Sequence, residues 1–578
     1  MRQIETDVVI IGGGATGAGV LRDCAQRGMR AILVEKDDIA NGTTGRNHGL
    51  LHSGARYAVT DPHSAIECIR ENQILKKVAS HCIEETGGLF ITLPEDELSF
   101  QEQFMTACTS AGIQAEALTP SDALRLEPNV NPKLLGAVRV PDGTVDPFRL
   151  TAANILDAEE YGGRLLSYTK VVGLIINNGR VRGVHCINLK TGEKVDIHAQ
   201  QVVNAAGIWG QQIIEYADLA IHMFPAKGSL LIVDYRINGM VINRCRKPSD
   251  ADILVPGDTI SLIGTTSEKI PYTDIENIRV NPDEVDLLLA EGEKLCPIMA
   301  RTRVLRAYCG VRPLVSLGDD PSGRNISRGI VLLDHGETDA LPGLITITGG
   351  KLMTYRLMAE MATDAVAKNL GNSKPCATAI RPLPGANGKH TDIYAPQVSI
   401  PVSGSAKYRH GERATKFLAN DKKQNAVICE CEMVTRGEIE YAVHNLNAMD
   451  LVDLRRRTRI GMGPCQGKMC ACRAAGIVSE ITHDDNGEQA LNSVGEFMQE
   501  RWKGVRPVLW GDAMREADLS YWLYNNLLGY SQLEPNDPAP VNAQRVRPCN
   551  VSVAHSGDES KAVSKEASRE ASKEEVAA

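Results

Sequence analysis

The apolar run DVVIIGG at residues 7–13 leads into Gly12-Gly13-Gly14-Ala15-Thr16-Gly17, and this junction admits few folds. The run is of strand length, GAGVLRDCAQRG (17–28) has helical spacing, and AILVEK (31–36) reads as a second buried strand. G-x-G-x-x-G between strand and helix has a chemical use at each glycine. Gly12 makes the tight turn, Gly14 lets backbone approach a pyrophosphate, and Gly17 lets helix pack on strand. The helix start offers backbone N–H donors to phosphate, and Glu35 would accept a ribose hydroxyl. A dinucleotide-binding α/β fold of Rossmann type follows; the motif alone does not choose between NAD and FAD.

The remaining text has the same mixed character. ECIRENQILKKVAS and FQEQFMTACTSAG predict helices between residues 67 and 112. Residues 163–203 predict a strand meander with Asn178-Gly179 as a hairpin turn, and QVVNAAGIWG (201–210) predicts another buried strand. Residues 224–335 are strand-rich, and LITITGGKLMTYRLMAEMATDAVAKNL (344–370) reads strand, tight turn, long helix. Pro, Gly and Ser are frequent from 371 to 404, as in a linker, whereas 551–578 has the composition of a disordered tail.

A chain of 578 residues should divide into two to four domains. The formal charge of −9 argues against a general nucleic-acid binder but leaves room for a small anionic substrate met by local arginines. No apolar run reaches the roughly 18 residues of a membrane span, and the N-terminus lacks the pattern of a signal peptide. A cytosolic setting is expected, where clusters among the 15 cysteines favour metal over disulfide.

Two clusters matter most: Cys429-Glu430-Cys431 and, thirty-three residues later, Cys465-Gln466-Gly467-Lys468-Met469-Cys470. The intervening text fits a helical hairpin, with Thr435 and Glu438 as a capping box and LVDLRRR as a second short helix. Four thiolates suit a [2Fe–2S] cluster or a zinc ion; C-x-C favours iron–sulfur. Cys472 competes with Cys470 as fourth ligand. Arg455, Arg456, Arg457 and Arg459 either offset an anionic cluster or form a solvated basic face.

IGGGATGAGVLRDCAQRG (11–28) and GGKLMTYRLMA (349–359) resemble the signature segments of FAD-dependent glycerol-3-phosphate dehydrogenases. GRNHGLLHSGARY (45–57), VVNAAGIWG (202–210), FPAKGS (224–229) and GVRPL (310–314) lie between them in the family's order. The cysteine segment resembles a bacterioferritin-associated-ferredoxin-like [2Fe–2S] domain. The resemblance implies a Rossmann-type FAD-binding domain with an inserted strand-rich, D-amino-acid-oxidase-like substrate domain, followed by a small helical four-cysteine iron–sulfur domain. By position, FAD-binding parts fall at about 5–60, 145–215 and 330–370 and the substrate part at about 60–145 and 215–330. A linker at 371–424, the [2Fe–2S] domain at 425–480 and a helical region at 481–550 follow.

The family also implies oxidation of sn-glycerol 3-phosphate to dihydroxyacetone phosphate. In its anaerobic branch two further components, a flavin-binding subunit plus a membrane-anchoring iron–sulfur subunit, complete an assembly that delivers electrons to quinone. This chain would then sit peripherally at the cytoplasmic face of the inner membrane. Carried over by motif, Arg56, Tyr57, Arg312, Arg328 and Lys351 are substrate contacts. Thr43, Thr44, Arg46, Asn47, Gly207, Gly349, Gly350, Lys351 and Leu352 join the glycine turn and Glu35 as FAD contacts. Aerobic relatives carry a histidine after KGS where this chain has Leu230, so His48 and His52 are the candidate bases, beside Arg312 in the catalytic set. The alternatives are a dehydrogenase of another 2-hydroxy acid and a non-catalytic electron-transfer subunit.

Overall fold

The run at Val8–Ile11 forms strand β1, buried throughout, and the glycine turn carries the chain into helix α1 (Ala15–Gln26) and back to β2 (Ala31–Val34). The computed structural model describes residues 2–315, 329–386, 402–418 and 422–524. β1 pairs in parallel with β2 on one side and with β3 (Gln201–Asn204) on the other. Arg164–Leu166, Leu344–Gly349 and an antiparallel edge, Ile330–Asp334, complete a six-stranded sheet.

Its central strands read as continuous apolar runs because both faces are covered. Val8 and Ile10 face α1 through Val20 and Leu21, while Val9 and Ile11 face a second, four-stranded sheet through Val184 and Ile197. In that sheet the hairpin between Thr169–Asn177 and Arg180–Asn188 turns at Asn178 and Gly179, both left-handed, as a tight primed turn requires. Chain leaves β1 toward β2 while β3 lies on its other flank, so the glycine turn sits where the strand order reverses.

The strand-rich part is one nine-stranded sheet drawn from two distant stretches of sequence. Val241–Arg244 runs parallel to Gly88–Thr92, joining them over a core that includes Leu89, Ile91, Ile242 and Leu254. At its other side β4 (Met223–Val233) pairs antiparallel with β5 (Val304–Val315), placing Ala226 opposite Arg312. Strand β6 (Leu344–Gly349) then leads back through a glycine turn into helix α2 (Tyr355–Leu370).

The cysteine region is a small hairpin, Val427–Cys429 with Val434–Thr435, followed by α3 (Arg436–Asn445), α4 (Leu451–Thr458), α5 (Ala471–Thr482) and α6 (Glu488–Val505). Ile439, Leu454, Ala474 and Phe497 form its core. Three expectations are corrected here. The segment 402–418, expected as linker, is a helix (Val402–His410) and a following turn that insert Ala406, Ala414 and Phe417 into this core. Thr435 caps α3 through the Glu438 N–H, yet the Glu438 carboxylate does not close the box. It pairs instead with Arg409 at 2.6 Å and His410 at 2.9 Å. Burial alone would raise its pKa, and the Arg409 guanidinium outweighs burial and holds it down at about 2.

Arg455–Arg459 form no solvated face, since Arg455, Arg456 and Arg457 are buried. Arg456 and Arg457 reach Asp38 at 2.8 and 2.5 Å, and Arg459 reaches Asp258 at 2.7 Å and Glu432 at 3.1 Å. Asp38 follows β2 and Asp258 lies in a hairpin turn of the inserted sheet, so this run clamps the cysteine domain to both. Burial works against ionised Asp38, but Arg457 and Arg456 keep its pKa near 2. Removing one member of such a set strands a buried charge, at a cost of about 3–5 kcal/mol. The tail at 551–578, expected to be disordered, lies outside the described residues, as does 525–550 of the C-terminal helical region.

Candidate active site and thiol cluster

A cavity of about 1110 Å³ opens at the carboxyl end of β1. Gly12, Gly14 and Glu35 line one part of it. Thr43, Thr44, Arg46, Asn47, Gly207 and the turn Gly349, Gly350, Lys351 and Leu352 line its length. His48, His52, Arg56, Tyr57 and Arg312 line it as well. Segments hundreds of residues apart in sequence thus meet at one surface. Gly17 lies beneath the turn rather than on it: a Cβ there would come 1.9 Å from the Gly12 carbonyl oxygen, so helix and strand could not pack as they do. Arg328 lies outside the described residues.

Several cations line the same cavity. Arg312 projects from β5 and donates to Thr265 Oγ1 at 2.5 Å, the Thr266 carbonyl at 3.0 Å and Ser267 Oγ at 3.4 Å. Arg56 donates to the Ser249 carbonyl at 2.9 Å and pairs with Asp252 at 3.3 Å, and its Nη1 has no partner among the described residues. The Lys351 ammonium stands 4.9 Å from the Tyr57 ring centroid. His52 is buried and meets Tyr57 edge-on, centroids 5.1 Å apart. His48 accepts the Leu50 N–H at Nδ1, 3.3 Å away. Lys227 of the KGS stretch is occupied by Glu268 and Glu284, and Leu230 presents an apolar wall.

In the cysteine domain, Cys429 contacts Cys470, Cys431 contacts Cys465, and Cys465 contacts Cys470, thiol to thiol. Backbone N–H groups of Gly461 and Glu432 point at Cys429, and those of Met469 and Gly467 at Cys465. Contacts from Cys431 and Cys470 push Cys465 far below the usual thiol range. Cys472 touches none of the four; burial alone raises its pKa. Cys470 is therefore the fourth member of the group.

The model of FAD dependent oxidoreductases matches residues 7–356, and that of BFD-like [2Fe-2S] binding domains matches residues 427–480. The A subunit of the anaerobic glycerol-3-phosphate dehydrogenase of Escherichia coli is 63% identical over 91% of this chain and 97% of that protein. The chain belongs to the FAD-dependent oxidoreductases, in the family of anaerobic glycerol-3-phosphate dehydrogenase A subunits. The Haemophilus influenzae member is 57% identical over 93% of this chain and 96% of its own length. In fold, the glycerol-3-phosphate dehydrogenase of Bacillus halodurans complexed with FAD superposes with a TM-score of 0.65 at 23% identity, covering 88% of this chain and 96% of that one.

The residues present fit both cofactors of an FAD-dependent oxidoreductase with a BFD-like domain. Glu35 accepts the Gly13 N–H at 2.6 Å and the Asp37 N–H at 2.9 Å, which leaves carboxylate lone pairs for two ribose hydroxyls. Burial raises its pKa to about 7, a cost that hydroxyl donors would relieve. At Gly350 (φ +66°) a Cβ would fall 2.5 Å from Met358 Sδ, so only bare backbone can line the cavity there. Among the described residues no three Cys, His, Asp or Glu side chains converge on a single-ion site. The four sulfurs form one chain of contacts instead, Cys429 to Cys470 to Cys465 to Cys431, and a two-iron cluster takes four thiolates, two per iron.

Two features of this site carry no motif. Thr265 and Ser267 brace Arg312 from a strand-rich stretch where hydroxyls are common, and Arg46 faces a second cavity besides this one.

Proposed function

We propose that this chain oxidises sn-glycerol 3-phosphate to dihydroxyacetone phosphate and passes the electrons onward through its own iron–sulfur domain. One observation carries the reading: a single cavity joins a dinucleotide-type glycine turn with Glu35 to the cations Arg56, Arg312 and Lys351. A phosphate dianion needs fixed cations, and guanidinium forks match its oxygens pairwise. Arg312 is fixed by its contacts to Thr265 and Thr266, and the Tyr57 ring backs the Lys351 ammonium. FAD held by the glycine turn and Glu35 would supply the hydride acceptor for the carbinol carbon, and a [2Fe–2S] cluster held by Cys429, Cys431, Cys465 and Cys470 would supply a one-electron acceptor.

The hydroxyl proton needs a base at the same cavity. A backbone N–H donated to His48 Nδ1 leaves the proton of the neutral ring on Nε2, so His48 gains a proton only by giving up that bond. His52 is the better base. His52→Ala is expected to lower kcat by about a hundredfold or more, in the range of a lost general base, and His48→Ala by much less. Steady-state rates over pH 6–9 check this, and near-normal turnover in both variants removes histidine from proton transfer.

Electrons leaving one at a time imply a waiting acceptor. We infer a complex with a flavin-binding subunit plus a membrane-anchoring iron–sulfur subunit, through which quinone is reached from the cytoplasmic face of the inner membrane. No helix among the described residues is long and apolar enough to cross a membrane, which supports attachment through a partner. The deciding experiment mixes the anaerobic holoprotein with glycerol 3-phosphate, lactate or 2-hydroxyglutarate and follows flavin absorbance. Rapid bleaching by glycerol 3-phosphate alone is expected. Bleaching by a hydroxy acid in preference to it, or by none, defeats the reading.

A further inference from the structure

A second cavity, of about 750 Å³, lies between the oxidoreductase portion and the cysteine domain. Residues 46–48 line both cavities. Nothing in the proposed reaction uses this space, yet its charge is unbalanced. Arg455 on α4 is buried and lines the cavity; its Nε has no partner and its side chain makes no hydrogen bond or ion pair with any described residue. Arg306 on β5 has an unpartnered buried Nε, its guanidinium 5.8 Å from the Tyr308 centroid. Arg46 reaches the same space from the opposite side, and Lys503 on α6 adds an ammonium.

The neighbouring cations are already satisfied, Arg456 by Asp38 and Arg459 by Asp258 and Glu432. Of the described acids lining the cavity, Asp146 and Asp258 are taken by Arg149 and Arg459, which leaves Glu500 facing Arg455, Lys503, Arg46, Arg456 and Arg306. An excess of buried positive charge is tolerated when a ligand supplies the counter-charge. The strain is visible in Arg455 itself: burial, then repulsion from Arg456 and Arg306, pulls its pKa down to about 9.

We propose that this cavity binds a small phosphate-class dianion, held by Arg46, Arg306 and Arg455, as a site distinct from the substrate cavity. Forked donors arriving from three elements suit an oxyanion with several acceptor oxygens. The volume leaves room for the body of a phosphate ester, and inorganic phosphate shares the same headgroup chemistry. Because Arg455 belongs to the cysteine domain and Arg46 and Arg306 to the oxidoreductase portion, an occupant ties the two together.

The test is equilibrium dialysis of radiolabelled inorganic phosphate against the holoprotein, with ionic strength held constant by chloride. Two sites per chain are expected. Arg455→Gln should weaken one by about tenfold or more, as for a lost charge-assisted bond, while Arg312→Gln weakens the other. Excess glycerol 2-phosphate that displaces label from the Arg455-dependent site more tightly than phosphate does identifies an ester as occupant; equal affinity identifies free phosphate. A single site that Arg312→Gln abolishes and Arg455→Gln leaves intact overturns the proposal. Thermal melting gives an independent reading if a variant folds poorly. In chloride alone Arg306→Gln or Lys503→Gln should melt at or above the wild-type temperature, because each removes an unbalanced charge. Added phosphate should raise the wild-type melting temperature more than theirs, and an equal rise in all three contradicts the site.

Discussion

Arg312→Gln is expected to lower kcat/KM for glycerol 3-phosphate by about 10² to 10⁴, since two charge-assisted hydrogen bonds to the phosphate, each worth about 1.5–3 kcal/mol, are lost together. An effect of that size requires a pre-positioned arginine, and the structure supplies the means. Arg312 stands opposite Ala226 in the β4–β5 ladder; Thr265 and Thr266 hold its Nη2, while the longer contacts of Nη1 to Ser267 and the Lys227 carbonyl, at 3.4 and 3.5 Å, are the ones a phosphate would displace. Gly228 on β4 leaves the space that the guanidinium fills, because a Cβ there would come 2.6 Å from Nη2. How the loss divides is informative. A residue that only anchors phosphate raises KM and leaves kcat near its wild-type value, whereas one that reaches the reacting oxygen lowers kcat. Rapid-mixing measurement of flavin reduction across substrate concentrations separates the two. A change of only a fewfold in both parameters would remove Arg312 from substrate binding.

Much of the oxidoreductase portion was legible because its signals are local. Buried parallel strands are continuous apolar runs, and Asn178-Gly179 specifies its own turn. The motif residues also converge on one cavity, apart from Gly17 beneath it and Arg328 outside the described residues. What could not be read depends on partners distant in sequence. A basic run on a short helix looks the same whether water or a carboxylate faces it, and Asp38 announces nothing of Arg456 and Arg457. Residues 402–418 carry little apolar content, yet Ala406, Ala414 and Phe417 suffice to seat them in a core. Glu438 obeyed a local capping pattern only in its backbone, because Arg409 and His410 offered its carboxylate a stronger pairing than the N-cap amide.

The four-thiol group makes the sharpest separation between chemistry and electron exit. Cys470→Ser is expected to abolish the cluster's low-temperature EPR signal and to reduce turnover with the natural acceptor to background. The flavin should still be bleached in a single turnover by glycerol 3-phosphate, since none of the four sulfurs lines the flavin cavity. Cys472→Ser should keep both the cluster and the turnover, because Cys472 makes no contact with the other four thiols. The reverse result, a cluster that survives loss of Cys470 and disappears with Cys472, would require the chain around residues 465–472 to rearrange on iron binding. The expected result has a physical ground. Cys429 and Cys470 are almost wholly buried, at 1% exposure each, beside the half-buried Cys431 and Cys465. Backbone N–H groups already point at sulfur on both sides of the group, and such donors stabilise the added negative charge of a reduced cluster. Moving one sulfur from the N-cap two positions into α5 would forfeit both its thiol neighbours, Cys429 and Cys465.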